Sequence, residues 1–488
     1  MTVHLLPGTY SIAWNTNSGI LLPQGVRLIG SCPTNTFVQL SGATNSSAAF
    51  YVLASTTDNP SVHISDLTID CNYGASGVTA ASIAGLNVNS SAGTIERVRV
   101  LNYGASNGDV SIINWMPTSA GTGAFTIQDC RIEGAVKGGG GSTVGEGIVI
   151  WGNSSSAATQ RTNVNVIVRN NHISNIGAGY GIDIVYGANN VLVDGNVIVG
   201  VSKGISADWG AVNNLQIANN ILENVGLGIS AGHQSSSNTN IDDGLLIANN
   251  LIEVNGSLPA IGSSYFPGGI RLSGGVRNGT IKNNLVQVAG SARSTNNPNW
   301  YSLLVNSLNS SLPNTNIVVI GNTLCPTLAK YFEPIDISFM SGNHMLDGTQ
   351  IDPFASYTAA IPDTTNTITL DGTPSLHQWV PTIWVACAAS WSAMSGQKVV
   401  HIPDPYYYQG KTFNLFLYKS PTAATNSIAL QADSNGWGGS YTNQVIIEPK
   451  TGGVAAVGSP YSVYGSGSSW LILPVRVTSI GGSWMLEK

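Results

Sequence analysis

IANNILE (217–223), IANNLIE (247–253) and IKNNLVQ (281–287) repeat one phrase: apolar, any residue, Asn or Asp, two residues, apolar, any residue. The phrase also occurs as ISDLTID (64–70), IQDCRIE (127–133) and VRNNHIS (168–174), with Arg or Gly at its third position as IERVRVL (95–101), VDGNVIV (193–199) and VIGNTLC (319–325), and more loosely as MSGNHML (340–346). Its fourth position holds Leu67, Val98 and Cys130, then Asn171, Asn196, Asn220, Asn250, Asn284, Asn322 and Asn343. A short fixed core with variable spacing is the signature of a solenoid whose loops differ in length.

A second repeat shares one register: GIVIWG (147–152), GIDIVYG (181–187), GISADWG (204–210), GISAGHQ (228–234) and GIRLSGG (269–275). Its period-two alternation indicates strands, and no segment of helical period lies between the two sets. Parallel strands without crossover helices must coil on themselves, so the sequence predicts a parallel β-helix of about ten or more coils. An Asn at one corner of each coil would stack its amide on neighbours about 4.8 Å away, satisfying a polar group inside the rod.

Composition agrees with many short strands and tight turns. Of 488 residues, 57 are Gly and only 9% are charged, against about 25% charged in ordinary soluble domains. A net charge of −6 argues against nucleic acid as a partner, since phosphate binding needs clustered cations. No stretch offers the roughly 18 apolar residues of a membrane span. The opening MTVHLLPGTYSI has neither the basic nor the apolar region of a signal peptide. Cys32, Cys71, Cys130, Cys325 and Cys387 form no C-x-x-C pair, which makes a zinc site improbable.

LLPGTY (5–10) followed by GILLPQGVRLIG (19–30) resembles the N-terminal coils of the pectate-lyase-like right-handed parallel β-helix superfamily. That superfamily includes pectin-degrading enzymes, other polysaccharide lyases and phage tailspikes, and the resemblance covers residues 1–346. It implies a right-handed β-helix over 1–346. Residues 347–362, with Pro353 and Pro362, read as a connector. From 363 to 488 the pattern changes to VVHIP (399–403), FNLFLYK (413–419), QVIIEP (444–449) and WLILPVRV (470–477), as in an antiparallel β-sandwich. Trp379, Trp384, Trp391 and Trp437 lie in this segment, whose expected role is capping, oligomerisation or carbohydrate binding.

With Ile148, Ile182, Ile205, Ile229 and Ile270 inside the coil, the next residues, Val149, Asp183, Ser206, Ser230 and Arg271, are expected to face solvent. Asp208 follows two residues after Ser206, and Trp151, Tyr186, Trp209 and His233 lie near the strand ends. Asp183 and Asp208, with Cα atoms about 8 Å apart if the coils are in register, suit an acid/base pair with a water between them. Trp151, Tyr186 and Trp209 could stack on sugar rings, and Arg271 could hold a sugar carboxylate. Asp183, Asp208, His233 and Arg271 are similar in order to the NTD, DD, GHG and RIK motifs of polygalacturonases. Here the matches are GIDI, ADWG, AGHQ and GIRL; no second Asp follows Asp208 and no Lys follows Arg271.

A lyase would instead need a base and a charge neutraliser. Arg271, His233 or Tyr186 could serve, with Asp242 and Asp243 as Ca²⁺ ligands. A hydrolase would require no cofactor. Glu146 reads as a loop charge, and Glu223 and Glu253 as structural residues of another face. The first-strand face around Lys282 and Arg169 is the alternative location for a site. The expected function is an extracellular hydrolase or lyase acting on an acidic polysaccharide. The alternative is a phage tailspike or surface spike that binds host glycan, for which a homotrimer would be expected.

Overall fold

The computed structural model describes residues 1–13, 19–42, 49–56, 61–75, 78, 82–90, 92–105, 110–115, 123–134, 136–137, 145–152, 164–185, 187–209, 212–232, 241–255, 268–288, 301–305, 314–325, 330–334, 337–346, 348, 350–351, 356–361, 367–369, 382–387, 398–402, 412–419, 428–432, 446–448, 453–455, 461–464, 471–480 and 483–487. Contacts divide the chain into two compact units. One comprises Met1–Tyr331, Ile337–Phe339 and His344–Gly348; the other comprises Phe332–Asp336, Met340–Asn343 and Thr349–Lys488.

The first unit is a parallel β-helix. Each full coil supplies strands to three sets. The first set runs through Val62–Ser65, Gly93–Glu96, Gly123–Gln128, Val164–Arg169, Asn189–Asp194 and Asn213–Ala218, each parallel to the next, in a thirteen-stranded sheet. The second set includes Thr68–Asp70, Arg99–Leu101 and Arg131–Glu133, and later Ile221–Val225 and Leu251–Val254. The third includes Gly145–Trp151, Leu227–Ala231, Gly268–Leu272 and Tyr301–Val305. His172–Val185 and Val197–Trp209 run through both of the last two sets and join them in one twenty-four-stranded sheet.

The repeated phrase marks the corner between the first two sets. Its third residue takes a left-handed conformation: Asn170, Asn219, Asn249 and Asn283 have φ of 54°, 56°, 55° and 54°. Asn and Asp reach this region more readily than other non-glycine residues. The turn then directs the fourth residue inward. Asn171, Asn196, Asn220, Asn250, Asn284 and Asn322 are all buried, as are Leu67, Val98 and Cys130 at the same position of earlier coils. Each Asn Nδ2 donates to Oδ1 of the next: 2.9 Å from Asn171 to Asn196, 3.0 Å to Asn220, 3.0 Å to Asn250, 2.9 Å to Asn284 and 2.9 Å to Asn322. The same Oδ1 accepts the backbone N–H of the preceding Asn, as from Asn220 to Asn250 at 3.0 Å. The stack expected from the sequence is therefore a continuous amide ladder.

The second unit contains a seven-stranded and a four-stranded sheet. Its earlier strands do not pair as expected. Ser356–Ile361, Thr382–Cys387 and Thr412–Lys419 are parallel neighbours, as are Thr367–Thr369, Lys398–Ile402 and Ile428–Ala432. Antiparallel pairing begins with Leu471–Ile480 against Thr412–Lys419, and Tyr461–Tyr464 against Ile428–Ala432. Alternation reports which face a residue occupies, whichever way the neighbouring strand runs. Ser356–Ile361, within the segment read as a connector, is the edge strand of the larger sheet. Trp384 lies on a strand; Trp379, Trp391 and Trp437 lie outside the described residues.

Candidate active site on the third strand set

The inward column is the one expected: Ile148, Ile182, Ile205, Ile229 and Ile270 are opposite one another in successive coils and fully buried. The adjacent column is Val149, Asp183, Ser206, Ser230, Arg271 and Leu304, in the same registers. This column does not face solvent. Asp183 retains 6% of its exposure and Arg271 2%, while Ser206 and Ser230 retain none. Alternation identifies the side of the strand correctly, but burial also depends on what packs outside it.

The glycine before each inward Ile also points inward. A Cβ on Gly147 would lie 2.9 Å from Ile173 Cγ2, and one on Gly204 would lie 3.1 Å from Leu222 Cδ1, both fully buried side chains. Two consecutive residues therefore turn toward the interior, so the residue before the glycine returns to the outer face. That position carries Glu146, Tyr180 and Lys203 in register. Lys203 demonstrates the shared face, because its Nζ and Ser206 Oγ donate to the same Asp208 carboxylate, at 2.6 and 2.8 Å. Ser230 Oγ adds a third bond to Asp208, at 3.0 Å. Lys203 Nζ also lies 4.9 Å from the centroid of the Tyr180 ring.

Asp208 reaches this cluster through a bulge. Asp183 pairs with Ser206, but Val185 pairs with Trp209, leaving one residue between the pairs on one strand and two on the other. Such an insertion re-aims a side chain. Asp208 is thus held by an ammonium and two hydroxyls. Asp183 differs: its Oδ1 has no hydrogen-bond partner among the described residues. Burial, followed by the charges of Glu146 and Asp208, holds its carboxyl well above the ordinary carboxylate range, against the opposing pull of Lys203 and Ser206. At the far end of the column, Arg271 Nε and Nη1 also lack partners among the described residues, as does Ser273 Oγ.

Asp183, Asp208 and Arg271 therefore share the third-set face. Trp151 is half-buried at the end of Gly145–Trp151, opposite Val185. Trp209 is described in its backbone only, and Tyr186 and His233 lie outside the described residues. Asp242 is buried and braces two backbone amides, Val212 N–H to Oδ1 at 2.8 Å and Gly232 N–H to Oδ2 at 3.1 Å. Burial raises its pKa well above the ordinary carboxylate value. Asp243 is exposed and accepts from Asn278 Nδ2 at 2.7 Å. As strand neighbours these two carboxylates diverge, and no cluster of three metal-ligating side chains occurs among the described residues.

Lys203 and Tyr180 were not singled out by sequence reasoning, and Glu146 lies on a strand instead of a loop. The available signal was a Lys two residues before an inward Ile, in a chain with only 19 Lys and Arg. Arg169 and Lys282 are exposed on the first set, with Arg169 Nη2 donating to Gln128 Oε1 at 2.7 Å. Glu223 and Glu253 lie on the second set, where Glu253 accepts from Gln287 at 3.3 Å.

No family profile matches the chain, and no curated protein matches it in sequence. Three solved structures illustrate its similarity in fold. The A-module of Azotobacter vinelandii mannuronan C-5 epimerase AlgE6 has a TM-score of 0.40 and 16% identity, over 71% of this chain and 90% of that one. The AlgE4 A-module of the same organism gives 0.35 and 16%, over 71% and 88%. A DFA-IIIase from Arthrobacter chlorophenolicus A6 gives 0.33 and 13%, over 67% and 84%. The parallel β-helix assignment rests on the strand registers above.

Proposed function

We propose that the protein is an enzyme acting on an acidic polysaccharide, with Asp183 as proton donor to a glycosidic oxygen. The observation that carries this is the buried Asp183 carboxyl, whose Oδ1 has no partner among the described residues, on the same column as Arg271, whose Nε and Nη1 likewise have none among them. A carboxyl with a raised pKa retains a proton to donate near neutral pH. Arg271 is suited to receive a sugar carboxylate. Glu146 and Trp151 are half-buried at the two ends of Gly145–Trp151, the strand one coil before Asp183, and a sugar ring could stack on the indole there.

Elimination is the second reading, because an arginine with free donors could instead neutralise a uronate carboxylate. A panel of acidic and neutral polysaccharides, read for new reducing ends and for ultraviolet absorbance of an unsaturated uronate, distinguishes the two reactions. Hydrolysis gives reducing ends without that absorbance. Asp183→Asn is expected to lower turnover about 10²-fold or more. Arg271→Ala is expected chiefly to raise KM. Full activity in Asp183→Asn on a polysaccharide that the wild type cleaves would overturn the role of Asp183.

A further inference from the structure

Asp208 was the expected partner of Asp183, but its carboxylate is already engaged by Lys203, Ser206 and Ser230. Removing water's proton with Asp208 would require breaking a buried ion pair, which is costly. A second carboxylate, Glu146, stands on the neighbouring strand. Glu146 pairs with Tyr180, three residues before Asp183, and stands one coil away. The paired inward residues, Gly147–Ile148 and Gly181–Ile182, return Glu146 and Asp183 to the same outer face. Asp183 Oδ1 is buried and lacks a partner among the described residues. Glu146 itself is half-buried, so solvent reaches this member of the pair.

We propose, resting on the function proposed above, that Glu146 is the second carboxylate of this site and the base that activates water. In that step Asp183 gives its proton to the glycosidic oxygen as the bond from that oxygen to the anomeric carbon breaks. Glu146 takes a proton from water as the water oxygen bonds to the same carbon. One water is consumed, a reducing end and an alcohol form, and solvent carries the proton from Glu146 back to Asp183. Three residues along the strand and one coil across it put their Cα atoms about 11 Å apart, which leaves room for a water between the carboxyls, as inversion requires. Asp183 also feels the charge of Glu146 more strongly than that of Asp208.

The test compares wild type, Glu146→Gln, Glu146→Ala and Asp183→Asn on an acidic polysaccharide that the wild type cleaves, with thermal unfolding to establish that each variant is folded. Turnover should fall about 10²-fold or more in Glu146→Gln. The groups acting on Asp183 are Glu146, Asp208 and Lys203, with Arg271 farther along its column. Because Glu146 must be ionised, wild-type activity should fall as pH decreases through its pKa. Because Asp183 must be protonated, activity should fall again as pH rises through its own. Glu146→Gln should lose the acidic limb and, without the charge that helps hold the Asp183 carboxyl up, shift the basic limb to lower pH. Azide, which needs no base, should restore turnover to Glu146→Ala and yield a glycosyl azide of inverted configuration. Wild-type turnover in Glu146→Gln, or a folded inactive Glu146→Ala that azide does not rescue, overturns the role of Glu146 while leaving Asp183 standing. Full activity in Asp183→Asn overturns the underlying function, as does failure of the wild type to cleave any acidic polysaccharide.

Discussion

Lys203 and Asp208 keep 1% and 0% of their side-chain exposure, and their charges meet at 2.6 Å. Asp208→Asn would leave the ammonium buried without its counter-charge, a loss of about 3–5 kcal/mol by comparison with other broken buried pairs. Urea unfolding should show this loss, while Lys203→Met combined with Asp208→Leu should recover much of it. A loss under about 0.5 kcal/mol would be the behaviour of an exposed strand position. Asp183 supplies the complementary test. Its folded pKa is raised, so above about pH 4 the unfolded chain releases a proton that the folded chain retains. Wild-type stability therefore declines from that pH toward the folded-state pKa. Asp183→Asn should lack this contribution, and its stability relative to wild type should rise across the window. A pH-independent difference between the two unfolding curves would remove this account.

At the level of strands and turns, the two repeated phrases did different work. The Asn phrase was readable because the same residue must satisfy one corner in coil after coil. Asn220 accepts the N–H and Nδ2–H of Asn196 and donates to the oxygens of Asn250, Val193 and Ala218. Asn220→Leu should cost about 1–3 kcal/mol through the unpaired groups it leaves; an unchanged melting temperature would contradict the ladder. The Gly-Ile phrase was readable as a strand, but its glycine concealed a second inward residue. Simple alternation places the residue before each glycine on the wrong face, so Lys203 escapes attention and Glu146 reads as a loop charge. Gly204→Ala tests this geometry, since its Cβ would fall 2.6 Å from the Gly228 carbonyl oxygen. A loss of about 1–3 kcal/mol from overpacking is expected, and a neutral substitution would mean that the residue does not point inward.

For the whole molecule, the solenoid was legible because its coils repeat, whereas the direction of the C-terminal strands was not. Pairing direction depends on how distant segments meet, and alternation along one segment contains no record of that. Burial of the outer column was illegible for the same reason: Asp183 and Arg271 lie on the expected side, but the sequence phrase does not say what covers them. Within the β-helix, stability is expected to follow neighbour-to-neighbour contacts. The earlier coils carry Leu67, Val98 and Cys130 where later coils join amides, although Ile69, Val100, Leu222 and Ile252 are equally buried. Their difference should therefore appear in local opening, without any difference in apolar burial at these positions. In native-state hydrogen exchange of the full chain, peptides covering 64–71 and 95–101 should exchange at least several-fold faster than those covering 217–223 and 247–253. Asn220→Leu should accelerate exchange in the latter pair more than in the former. Equal protection in the wild type would show that apolar stacking alone sets coil stability, leaving the amide ladder with a role only in fixing the corner.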